Sequence, residues 1–238
     1  MCERSSSPAS PCTTRCRRSS CCIPKRRRRK HRQAVKLKSV EFAGAIARPG
    51  QAPPGTLPQV AFAGRSNVGK SSLINRVLER HRKQIARVSA SPGKTQEINF
   101  YRIRAELDGA DDDFFLVDLP GYGFARAPRP VREAWRPLIE GFLRGTDELL
   151  GVVQLIDARH EPTPDDLRMI EFLSGIEMPT LIVLTKIDKL KPAEREKRLE
   201  SATALLRIDA DQVIGFSSTT GEGRDALMES LEHLLTGD

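Results

Sequence analysis

Gly64-Arg65-Ser66-Asn67-Val68-Gly69-Lys70-Ser71 sets two glycines five residues apart and follows the second at once with Lys and Ser. That spacing suits the capture of a polyphosphate. The glycines let the backbone curl so that successive N–H groups point inward, where most side chains would obstruct the concavity. Lys70 brings a point charge to the outer phosphates, and Ser71 offers a hydroxyl to a magnesium ion. A helix opening at this point adds the positive end of its dipole. A glycine-rich turn that holds no phosphate is the bland alternative, and the chain downstream weighs against it.

Three further stretches carry chemistry. Asp118-Leu119-Pro120-Gly121 follows an apolar run. An Asp there can reach the metal through water, and the Gly121 amide can meet a terminal phosphate. Thr185-Lys186-Ile187-Asp188 follows another apolar run. The Asp188 carboxylate can accept from both the N1–H and the exocyclic amine of guanine, a donor pair that adenine lacks. The stem of Lys186 can lie over the base plane. A helix N-cap is the competing role for Asp188. Ser217-Ser218-Thr219 precedes a turn with Gly221 and Gly223 and can meet the base carbonyl. Tyr122 stands directly after Gly121, where an amide side chain would be needed to orient an attacking water, so slow intrinsic hydrolysis is expected.

These groups require strand ends to hold them. Residues 59–63 read as a short buried strand, and 70–82 as a helix with Leu73, Val77 and Leu78 on one face. A turn-rich stretch at 88–96 reads as a mobile loop. Residues 98–107 alternate apolar and polar, and 114–117 are continuously apolar, which predicts an antiparallel hairpin closed by a polar turn over 108–113. Beyond a loop at 119–130 the chain alternates: helix 131–144, strand 149–156, helix 164–173, strand 180–185, helix 193–206, strand 212–216 and helix 224–235. An edge strand is expected at 35–46, joined to the core by a Pro/Gly linker. The fold class is α/β, a mostly parallel sheet of six-stranded type with one antiparallel hairpin strand and helices on both faces. Ligands of such sheets sit at the carboxyl ends of the strands, where every motif above falls.

The 238 residues carry a net charge of +8, unevenly placed. Residues 1–38 hold 13 Lys/Arg against one acid, whereas the other 200 hold 26 against 30 Asp/Glu. The basic balance therefore belongs to a tail. All five cysteines lie in that tail, in a spacing too irregular for a zinc site. The cysteine-free body suits a reducing compartment. Residues 1–34 are expected to be a disordered, basic, Ser/Cys/Arg-rich tail, with residues 35–238 as the folded domain. Phosphate contact by Lys25–Lys30 and a transit-peptide role are alternatives for the tail. No apolar run reaches the roughly 18 residues of a membrane span.

Taken together, Gly64–Asn75, Pro92-Gly93-Lys94-Thr95-Gln96, Asp118-Leu119-Pro120-Gly121-Tyr122-Gly123-Phe124-Ala125, Thr185-Lys186-Ile187-Asp188-Lys189, Trp135 and Phe216-Ser217-Ser218 resemble the EngB (YsxC/YihA) family of bacterial ribosome-assembly GTPases. That family lies within the TrmE-Era-EngA-EngB-Septin-like superfamily of P-loop GTPases. The resemblance covers about residues 40–235 and implies that Gly64, Arg65, Ser66, Asn67, Val68, Gly69, Lys70 and Ser71 bind the phosphates of GTP or GDP. It implies Mg²⁺ ligation by Ser71 and Thr95, with Gly93, Lys94, Thr95, Gln96 and Glu97 in the first switch. Asp118, Leu119, Pro120 and Gly121 would form the second switch. Thr185, Lys186, Ile187 and Asp188 would select guanine, and Phe216, Ser217 and Ser218 would complete the base pocket. Asn67 matches an asparagine of potassium-activated relatives, which makes K⁺ a candidate charge-stabilising ion; a loop-stiffening role is the alternative. The resemblance further implies a GTP-hydrolysing switch acting on the ribosomal subunit, its rRNA and proteins, with a link to cell division and septation; a nucleotide-gated ribosome-binding module in which hydrolysis is incidental is the alternative. A cytoplasmic monomer with no membrane contact is expected. Arg126, Arg129, Arg132 and Arg136 are candidates for partner contact, or else a solvated helix face.

Overall fold

The computed structural model describes residues 35–79, 97–122 and 129–237, with backbone alone for 129–135. The tail over 1–34, the first-switch residues Gly93, Lys94, Thr95 and Gln96, and Arg126 lie outside the described residues.

Seven strands form one sheet: β1 (Lys36–Ile46), β2 (Gln59–Gly64), β3 (Ile98–Leu107), β4 (Ala110–Asp118), β5 (Leu149–Asp157), β6 (Thr180–Thr185) and β7 (Val213–Phe216). Their order is β1-β3-β4-β2-β5-β6-β7. β3 pairs antiparallel with both β1 and β4, and every other pairing is parallel. Six strands therefore share one direction and β3 alone reverses. The edge strand β1 completes the expected six-stranded sheet to seven.

Side-chain alternation decides which helices cover which face. Val60 and Phe62 of β2, Val153 and Leu155 of β5, and Leu181 and Val183 of β6 share a buried cluster with two helices. These are α1 (Lys70–Val77), through Leu73, Ile74 and Val77, and α5 (Arg224–Thr236), through Leu227, Met228 and Leu231. The opposite face of β2, Ala61 and Ala63, lies under Leu138, Ile139, Phe142 and Leu143 of α2 (Arg129–Gly145) and Leu173 of α3 (Pro164–Gly175). Ile182 and Leu184 lie with Ala202 of α4 (Pro192–Leu206). The small alanines of β2 leave room for the Phe100, Phe115 and Phe142 rings, which meet edge to face at 5.8–5.9 Å. Each such buried ring or Leu contributes about 1.5–3 kcal/mol by leaving water.

Two boundaries differ from the sequence expectation by more than two residues. The hairpin turn is Asp108-Gly109 alone, both at positive φ (46° and 84°), as two-residue hairpins prefer. Asp111, Asp112 and Asp113, expected in the turn, belong to β4 instead. Cross-strand cations neutralise two of them: Asp113 pairs with Arg102 at 2.5 Å, and Asp111 with Lys38 of β1. Helix α1 ends at Val77 rather than Arg82, and Glu79, just beyond the C-cap Leu78, turns left-handed (φ 54°).

Candidate functional site

β2 runs fully buried to Gly64, and the chain then turns back over the sheet's carboxyl edge. A Cβ on Gly64 would stand 2.9 Å from Val68 Cγ1 and 3.2 Å from Leu155 O, so only glycine lets the arc close this tightly. Asn67 (φ 64°) and Gly69 (φ 105°) take left-handed turns before α1 opens at Lys70. The first-turn N–H groups of α1 have no partners within the helix and face the same arc. The Val68 side chain is buried in the core, so this residue can offer a ligand only its backbone.

Lys70 reaches across to Asp118 at the end of β4, and the two form an ion pair with only 8% and 5% of their side chains exposed. Leu119 N donates to Phe62 O at 3.1 Å, stitching the end of β4 to β2. Gly121 lies against the arc itself: a Cβ there would meet the Ser66 N and Cα at 3.1 Å. Ser66 Oγ donates to Gly121 O (3.2 Å), Ser66 N to Tyr122 O (3.0 Å), and Tyr122 N to Gly64 O (3.3 Å). The Asp118–Gly121 segment is thus bonded directly to the phosphate-type loop.

The other end of the site is built on β6 and β7. Thr185 is buried, and its hydroxyl reaches Val68 O (2.7 Å) and Ile156 O (3.2 Å), so it holds loop and strand together. Lys186 (φ 62°) donates to Asn67 O (2.7 Å) and Asp157 Oδ2 (2.8 Å), which fixes its stem across the site. Asp188 lies in the short turn 187–189 and caps nothing there; its carboxylate accepts from Ser217 Oγ at 2.8 Å. Ser217 is completely buried, and its hydroxyl accepts from the Thr219 and Thr220 amides at 3.2 and 3.1 Å. Burial pushes the Asp188 carboxyl up, but the bonds from Ser217 and Lys189 outweigh it and hold the group below its usual range. Asp188 is therefore an oriented carboxylate.

Ile187 and Phe216 bury their side chains in the core and, like Val68, can contribute only backbone. Glu97 sits exposed just before β3. Arg136 is paired with Glu140 on its own helix at 2.6 Å.

Sequence reasoning missed two features. Asp157 closes β5 between Arg159 and Lys186. Burial raises its carboxyl, but hydrogen bonds from those two cations prevail and hold it well below the carboxylate range. The second is a buried polar cluster under Tyr122, whose hydroxyl donates to Asp166 Oδ1 (3.0 Å) and accepts from Gln154 Nε2. The signal for Asp166 was present in Thr163-Pro164-Asp165-Asp166, an N-cap followed by proline and an acid at the third helical position. Nothing in the spacing of Gln154 announced a partner 32 residues away.

Among the described residues no group of three or more His, Cys, Asp or Glu could hold a metal unaided. The chemistry of a hydroxyl at Ser71, first turn of α1, and of the Asp118 carboxylate at the end of β4 does suit magnesium, which binds through few protein oxygens together with phosphates and water. No helix of the described residues is long and apolar enough to cross a membrane.

A family model described as "50S ribosome-binding GTPase" matches residues 59–186, more than half of the chain. Among curated relatives, a "Probable GTP-binding protein EngB" from Gemmatimonas aurantiaca is 48% identical over 200 residues, covering 84% of this chain and 94% of the relative. One of the same description from Desulforamulus reducens is 44% identical, covering 86% and 96%. The crystal structure of a probable GTP-binding protein EngB superposes with TM-score 0.62 at 23% identity, over 76% of this chain and all of that one. Era in complex with MgGDPNP and 16S ribosomal RNA matches at TM-score 0.58 and 20% identity, over 75% and 57%. At such identities the two structures speak for the fold.

Proposed function

The chain belongs to the EngB family of GTP-binding proteins and is a GTPase, and on that ground we propose that it is a nucleotide-gated switch in assembly of the large ribosomal subunit. The observation that carries this reading is the placement of an oriented carboxylate, Asp188 on Ser217, and a closed backbone arc, 64–71, on one sheet edge joined by Thr185 and Lys186. Those two ends fit the base and the phosphates of one guanine nucleotide. In that role Lys70 exchanges Asp118 for the outer phosphates, while Gly121, packed on Ser66, presents its amide to the terminal one. Magnesium bound with the nucleotide would be held by Ser71 and, through water, Asp118, and would supply charge neutralisation between the phosphates. Thr95, outside the described residues, is proposed as its switch ligand.

The Tyr122 ring turns into the interior and hydrogen-bonds there, so it orients no water. Slow intrinsic turnover follows, raised by the ribosomal partner or by K⁺ at Asn67. Replacing NaCl by KCl in a turnover assay without any rate change removes the potassium role. The family description supports ribosome binding, and the division role is read as downstream of ribosome supply in the cytoplasm. Residues 35–238 are proposed as the GTPase domain and 1–34 as a separate basic tail. Co-sedimentation with isolated ribosomal subunits tests the reading. Pelleting with large subunits is expected with a non-hydrolysable GTP analogue and not with GDP. Equal pelleting in both states, or none in either, rejects it.

A further inference from the structure

Asp166 divides its carboxylate between two tasks. Oδ2 accepts from the Thr163 amide (2.9 Å) and hydroxyl (2.7 Å), completing the N-terminal cap of α3. Oδ1 accepts from the Tyr122 hydroxyl at 3.0 Å. Both Asp166 and Gln154 are buried, at 2% and 0% exposed, and the Gln154 Oε1 has no partner among the described residues. A buried, hydrogen-bonded carboxylate and amide cost desolvation that an apolar trio would avoid. Burial and the neighbouring Asp166 charge together push the Tyr122 hydroxyl well above its ordinary range, so the ring stays a donor at any physiological pH.

Tyr122 is bound at its other end too. Its backbone N–H and C=O bond to Gly64 and Ser66 of the phosphate-type loop, and Gly121 touches Ser66 through the gap a side chain would fill. One residue thus ties the loop to the start of α3. The segment leading into α3 lines an open cleft of about 230 Å³ together with Arg65, Asn67 and His160.

We propose that Asp166 is a positioning residue for nucleotide sensing: by anchoring the Tyr122 hydroxyl at the entry to α3, it fixes where the Gly121 amide stands relative to the phosphate-type loop. The proposal rests on the reading of Gly121 as the terminal-phosphate sensor. It separates affinity for the diphosphate, which the arc 64–71 supplies, from discrimination of the triphosphate, which needs Gly121 in place.

The test compares affinities of the full-length protein for GDP and for a non-hydrolysable GTP analogue by titration calorimetry, together with thermal unfolding. Tyr122→Phe removes one hydroxyl and keeps the ring. It is expected to weaken the analogue by about tenfold relative to GDP, the scale of a lost hydrogen bond to a charged group. Asp166→Ala should do the same. Asp166→Asn, which keeps an acceptor for the tyrosine, should restore most of the discrimination. Thr163→Ala removes the cap on the Asp166 amide and one of the two bonds to Asp166 Oδ2, leaves the Tyr122 bond to Oδ1 in place, and should lower the melting temperature while leaving the affinity ratio alone. The proposal is overturned if Tyr122→Phe leaves the ratio unchanged, or if Thr163→Ala shifts it as far as Tyr122→Phe does. Should Asp166→Ala fail to fold, Tyr122→Phe still decides. A wild-type protein that binds neither nucleotide, by contrast, defeats the sensor reading itself.

Discussion

Lys70 and Asp118 meet in the interior at the base of the site, with 8% and 5% of their side chains exposed. Removing one partner of such a pair strands a charge in a poorly solvated place, which costs about 3–5 kcal/mol. Replacing both by apolar groups of similar size removes the desolvation penalty with the attraction, and is often neutral or stabilising by about 1–4 kcal/mol. Lys70→Met alone is therefore expected to destabilise the nucleotide-free protein, and Lys70→Met/Asp118→Leu to recover most of the loss. For a domain of this size 1 kcal/mol moves the melting temperature by about 2–4 °C. The single variant should then melt roughly 6–20 °C below wild type, and the double variant near it. Urea unfolding without nucleotide gives the free energies, and fluorescent-GDP titration should show binding lost in both variants. A double variant as unstable as the two single losses added together refutes the reasoning, because the carboxylate and the ammonium would then stabilise the fold independently. The expected outcome means that the pair is held at a cost in stability for what Lys70 and Asp118 do when phosphates arrive.

Three further outcomes follow from the geometry. Asp188→Asn should reverse the preference between GTP and xanthosine triphosphate in competition binding, since an amide offers a donor where guanine also offers one; an unchanged preference removes base reading from Asp188. Thr185→Val, near in shape, takes the donor from Val68 O and Ile156 O and should cost about 1–3 kcal/mol in a denaturant midpoint, while Thr185→Ser keeps most of it. The Asp157 carboxyl is held below its unfolded value of about 3.9, so the stability it contributes is present above that pH and lost as acid protonates it in the folded state. Asp157→Asn should flatten the fall in unfolding free energy below about pH 4; an acid limb of unchanged slope dismisses the ion pair with Lys186 and Arg159 as its source.

What the sequence made legible was whatever depends on local pattern. β3 and β6 match their expected bounds because alternation over 98–107 and an unbroken apolar run over 180–185 leave no competing period. The loop at 64–71 was legible for a different reason: close backbone approach admits few residue types, and Gly64 and Gly69 declare it. The sequence reading failed where long-range pairing overrides local preference. Three successive aspartates read as a turn by composition, yet Lys38, Arg102 and the register of β4 against β3 make them strand. Thr185 belongs to a base-reading motif, but its hydroxyl is spent inward on two carbonyls, and only the packing of β6 under the loop reveals that. The Tyr122 cluster is the extreme case, with partners 32 and 44 residues away on separate elements. The absence of a glutamine after Gly121 was visible in one dimension. That the tyrosine in its place is tied down, rather than merely unreactive, required seeing which carboxylate caps the neighbouring helix. Residues that touch a ligand announce themselves by type and spacing, whereas residues that hold those in position are specified by the fold.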